Sequence, residues 1–148
     1  MGRQPREGVT SVFTNFRSRT RGGAPTIGRR EVPPADMGGA IASYSASASD
    51  FVNNGTFRST VNPGRGGKAF VCPTARTIVQ TVPNCHVGDS FNVQVLNAAP
   101  SGAVNLAGNT GVTLTLASST IAAGAAATLD VCIVDTTDLA EKVSVGGL

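Results

Sequence analysis

The chain of 148 residues has no tryptophan, one tyrosine, one histidine, three cysteines and two methionines, and only 14% of its residues are charged. Each scarcity excludes something. Aromatics at 5% leave too little material for an aromatic-lined ligand pocket. A single histidine, His86, removes histidine-based metal clusters and every motif that needs two histidines. Cys72, Cys85 and Cys132 form neither a CxxC pair nor an even set, so free thiols in a reducing compartment are expected rather than a disulfide scaffold. No apolar run approaches the roughly 20 residues of a membrane-spanning helix. The N-terminus shows no secretory apolar region, and Gly8, Gly22, Gly23 and Pro25 interrupt a transit-peptide helix.

What is abundant is glycine, with 18 residues, alongside 8 prolines, a composition of many turns rather than of a helical bundle. With a hydrophobic fraction of 41% and so few aromatics, the core is expected to consist mainly of Val, Leu, Ile and Ala. The net charge of +3 is unevenly placed. Residues 1–30 carry seven arginines against Glu7 alone, or +6, whereas residues 31–148 carry five basic and eight acidic side chains, or −3. A basic tether on a mildly acidic body is the resulting description.

Residues 1–55 show no sustained helical or strand period. They are expected to form an extended arm, with Val32-Pro33-Pro34 favouring polyproline-like geometry and 43–49 a small-residue tract. From residue 56 the pattern changes to short alternating runs around Phe57/Ser59/Val61, 68–72, Phe91/Val93/Val95, 103–107, Val112/Leu114/Leu116, Leu129/Val131/Ile133 and Val143/Val145. Between Pro73 and Pro83, Ala75, Ile78, Val79 and Val82 fall on one face of a single short helix. The expectation is an all-β chain: an antiparallel β-sandwich or jelly-roll-like domain over 56–148, with one short helix and an extended N-terminal arm over 1–55.

The candidate chemistry is sparse. Gly64-Arg65-Gly66-Gly67-Lys68 resembles a phosphate-binding loop but is followed by Ala69 rather than Ser or Thr, so a turn between strands is favoured. His86 with Asp89 and a serine lacks the GxSxG context of a triad, and Cys85 beside His86 reads as a turn cysteine rather than an activated thiolate. A Cys72–Cys85 bridge would have to join the two ends of the helix, about 13 Å apart. Asp130, Asp135, Asp138 and Glu141 lack calcium-loop spacing, and Asn54-Gly55-Thr56 is a formal glycosylation sequon only. No catalytic residue, metal or cofactor is expected. The arm is the functional signal, and Arg3, Arg6, Phe13, Phe16, Arg17, Arg19, Arg21, Arg29 and Arg30 are its candidate partner-binding residues. Arginine forks suit carboxylates of a protein partner, and the same residues with Phe13 and Phe16 suit nucleic-acid phosphates and bases; protein contact is favoured.

The segment PTARTIVQTVPNCHVGDSFNVQVLN, 73–97, with Thr110-Gly111-Val112-Thr113-Leu114 and Ala122-Ala123-Gly124, resembles a pattern in β-sandwich structural proteins of tailed phages and large DNA viruses. The likeness covers about residues 68–134, and Cys72 and Cys85 depart from it. It implies a non-enzymatic virion protein of the capsid cement, decoration or head-fibre kind, often trimeric; the arm does not align with it, and the expectation of a cement or decoration protein that binds a major capsid protein through its arm and associates as a homotrimer through its β-domain joins this resemblance to the arm's own charge. The implied location is the virion capsid, assembled inside the host cell, with no membrane partner. A nucleic-acid-binding coat protein with an internal basic arm, or a head-fibre or spike base protein, is the alternative.

Overall fold

The structure, a computed structural model, describes residues 33–147 together with the backbone of Phe16–Ser18. Its elements in chain order are β1 (Phe16–Ser18), β2 (Ala35–Asp36), β3 (Ser43–Ser45), a π-helical turn (Asp50–Asn54), β4 (Thr56–Ser59), a 3-10 turn (Gly64–Gly66), β5 (Lys68–Val71), α1 (Ala75–Thr81), β6 (Asp89–Asn97), β7 (Val104–Ala107), β8 (Val112–Thr115), β9 (Thr120–Ile121), β10 (Ala126–Asp135) and β11 (Lys142–Gly147). The mainly-β expectation holds, and every alternating run named above contains a strand. The long strands follow the period of two: Phe91, Val93 and Val95 of β6 and Leu129, Val131 and Ile133 of β10 are buried, while Asn92 and Gln94 between them are exposed.

The strands form two sheets, one ordered β2-β4-β6-β10-β11-β8 with β1 also beside β6, the other ordered β3-β5-β7-β9. From β2 to β9 the chain changes sheet at every strand. This winding corrects the expectation of antiparallel pairing. A chain that crosses to the other sheet and returns re-enters beside its previous strand in the same direction, so β2·β4, β4·β6, β3·β5 and β5·β7 are parallel. The β8·β11 pair is parallel too, whereas β6·β10, β10·β11, β7·β9 and β1·β6 are antiparallel. Turn residues between short strands read as hairpins from local sequence, but here they serve crossings between sheets.

One core joins the sheets. Phe57 of β4 meets Phe70 of β5 edge-on with centroids 4.9 Å apart, Tyr44 of β3 lies 6.1 Å from both rings, and Phe51 stands perpendicular to Phe91 at 5.9 Å. These five aromatics thus lie on the seam between sheets, where each fully buried Phe contributes about 2–3 kcal/mol of apolar burial. Two of those rings, Tyr44 and Phe51, come from the stretch expected to be arm. Met37, Phe51 and Val52 are buried in the same cluster as β6 and β10, so residues 35–55 share one core with residues 56 onward. Gly55 closes the π-helical turn with φ +71°, its N–H donating to Asp50 O at 2.8 Å, a conformation that favours glycine. The expected helix is α1. Thr74 caps it by accepting from Thr77 N at 3.3 Å, Ala75, Ile78 and Val82 are buried, and Pro83 follows its end.

Candidate functional site

β6 has two edges. One pairs with β10 along Ser90–Leu96. The other is divided: β4 runs parallel to it over Gln94–Asn97, and β1 runs antiparallel to it over Asp89–Phe91, with Phe16 opposite Phe91, Arg17 opposite Ser90 and Ser18 opposite Asp89. A segment of the arm therefore covers the Asp89–Phe91 part of the edge, which β4 does not reach. Phe16 and Arg17 take part through their backbone, whereas Arg3, Arg6, Phe13, Arg19, Arg21, Arg29 and Arg30 lie outside the described residues.

At the end of this register sits Asp89, which is fully buried. Its Oδ2 accepts from His86 N at 2.8 Å and lies 3.8 Å from His86 Nδ1, while its buried Oδ1 has no hydrogen-bond partner. A buried carboxylate oxygen without a donor is costly, by about 1–3 kcal/mol or more for a charged group. This residue was missed as a feature of the arm's docking place, although its signal was in the sequence. Asp89 shares the parity of Phe91, Val93 and Val95, and an acid at that parity points toward the core. Burial, then the Asp89 charge, pushes the Cys85 thiol up to about 11, so at neutral pH it is a protonated thiol rather than a nucleophile.

Lys68 is committed to the fold rather than to a phosphate-binding loop. The side chain is fully buried in β5, and its Nζ donates to the carbonyl oxygens of Met37 at 3.0 Å, Gly38 at 3.1 Å and Gly39 at 2.6 Å. All three ammonium donors are committed to backbone, which straps the 37–39 loop onto the second sheet. Burial pulls the Lys68 pKa down, partly opposed by Asp36. A second polar knot lies at the ends of β4 and β6. Ser59 Oγ donates to Asn62 Oδ1 at 2.6 Å, Asn62 Nδ2 donates to Asn97 Oδ1 at 3.1 Å, and Asn97 Nδ2 donates to Gly102 O at 3.0 Å and Ile121 O at 2.9 Å.

The acidic C-terminal residues serve local structure. Asp135 Oδ1 accepts from Thr137 N at 2.8 Å, and the Thr137 hydrogen bonds lower its pKa. Arg76 of α1 pairs with Asp138 at 3.0 Å and with Glu141 at 3.7 Å. Among the described residues no group of three His, Cys, Asp or Glu side chains is placed to hold a metal ion, and no helix is long and apolar enough to cross a membrane. Asn54 of the sequon donates its Nδ2 to Pro33 O at 3.2 Å.

Comparison with family models, curated proteins and solved structures finds no match.

Proposed function

We propose that this chain is a virion structural protein, a capsid cement or decoration protein, whose two sheets form a β-sandwich of jelly-roll-like character and whose arm attaches it to a major capsid protein. The observation that carries the reading is the docking of a segment from the basic arm, β1, on a sheet edge by backbone pairing. Backbone pairing gives affinity without a ligand pocket, and it suits a protein whose role is to tie surfaces together. The charge division supports it further: an arm of +6 on a body of −3 lets the body self-associate, as a trimer, through sparsely charged faces while the arm seeks acidic partners. Three tethered arms then act at high effective concentration on adjacent shell sites, so weak individual contacts sum to firm attachment.

The test is decoration of purified particles by the full chain and by a chain lacking residues 1–31, scored by co-sedimentation and negative-stain imaging. The full chain is expected on the particle surface, and the shortened chain in the supernatant as a soluble oligomer. Full occupancy by the shortened chain would overturn the assignment. Binding of naked nucleic acid whose affinity falls several powers of ten between 50 and 200 mM salt, on the order expected for 6–10 phosphate contacts, would replace it with an internal coat role.

A further inference from the structure

The pairing of β1 involves three residues, and its partner is β6. Because the contacts described are backbone to backbone, any copy of the chain presents the same donor strand and the same acceptor edge. Sixteen residues separate Ser18 from Ala35, enough to span about 50–60 Å when extended. A domain of this size has a radius of gyration of about 14 Å. The tether is therefore long enough to reach the β6 edge of an adjacent copy as well as its own.

We propose that the Asp89–Phe91 edge of β6 is an acceptor site for the Phe16–Ser18 strand of a second copy of this chain, so that copies held close together exchange arms. Concentration decides between the two states. A tether of this length holds its own strand at an effective concentration in the mM range, so dilute chains close on themselves. Neighbours at comparable local concentration compete for the same edge, and exchange then links copies without any new contact. The exchange deepens the self-association part of the proposed function, but its test does not depend on a capsid.

Full-length chain carrying a photo-crosslinking benzoylphenylalanine in place of Phe16 is mixed with full-length nitrogen-15 chain carrying Arg17→Pro. That substitution removes a backbone donor from the arm and leaves the acceptor edge of the labelled copy open. Circular dichroism confirms that both are folded. Irradiation from 10 μM to 2 mM is expected to raise the intermolecular product at least tenfold, with the attachment mapped by mass spectrometry to residues 89–93 of the labelled copy. Cross-links confined to a chain's own residues at every concentration, or reaching the labelled copy elsewhere, overturn the exchange. Either result leaves the particle-decoration experiment to be judged separately.

Discussion

Cys72 makes the stability of this protein sensitive to alkali in a calculable way. The residue is buried in the shared core, and burial pushes its thiol from an ordinary 9.0 up to about 12. The unfolded chain releases this proton above pH 9 while the folded chain keeps it until about pH 12. Between those values unfolding releases a proton, so stability falls as pH rises. At pH 8 both states are protonated and the effect is absent. By pH 11 the loss amounts to about 2.7 kcal/mol at 1.36 kcal/mol per unit. Cys72→Ala removes the titration but leaves a small void, at a pH-independent loss of about 1 kcal/mol. The variant should therefore be less stable than the parent at pH 8 and more stable at pH 11, with the curves crossing near pH 10. Urea unfolding at half-unit pH intervals, in a non-thiol reductant, measures this directly. Cys85 and Tyr44, whose pKa values are also raised, titrate equally in both proteins and cancel in the difference. Parallel stability curves from pH 8 to 11 would refute the reasoning.

Two further perturbations probe the polar straps. Lys68→Met should lose about 2 kcal/mol at pH 7, because Met37 O is left in a buried position without its donor. Hydrogen exchange should show the loss locally, at the Met37 amide bonded to Arg58 O, with β10 and β11 still protected; uniform loosening would contradict a local strap. Asn97→Ala should lose about 3 kcal/mol, and the double variant with Asn62→Ala should lose less than the sum by at least 0.5 kcal/mol, since the two amides share one network. Additive losses in the double-mutant cycle would mean that they act separately.

The parts of the fold that were readable from the sequence are those whose signal is local. Alternation of Phe91, Val93 and Val95, of Leu129, Val131 and Ile133, and of Val143 and Val145 marked β6, β10 and β11, and the Ala75/Ile78/Val82 spacing between Pro73 and Pro83 marked α1. β2 and β9, two residues each, carry no period, and the Ser43-Tyr44-Ser45 tract reads as low-complexity because Tyr44 acquires its meaning only against Phe57 and Phe70. Sheet membership was illegible for the same reason. Nothing near β5 records that its neighbours are β3 and β7 rather than β4. Lys68 looked like a loop cation because its partners, Met37 to Gly39, lie about thirty residues upstream. Of the docking place, the parity of Asp89 was readable, while the pairing with 16–18 was not, since a three-residue strand leaves no period.

The alternation of strands between sheets also dictates the order in which the molecule can be made. β4 waits for β6, and β5 waits for β7, so neither sheet can be completed while the other is missing. β8 has β11 as its neighbour in the sheet, and that strand begins at Lys142, 27 positions after β8 ends. Such delayed pairing defers the gain from contacts until loop closure has been met, and places refolding in the slow, millisecond-to-second range of sheet proteins. A ribosome-bound chain that has exposed residues up to 130 holds unpaired edges and no finished core. Its protection against premature association in that interval rests on short edges, since all but two of the described strands, β6 and β10, have six residues or fewer.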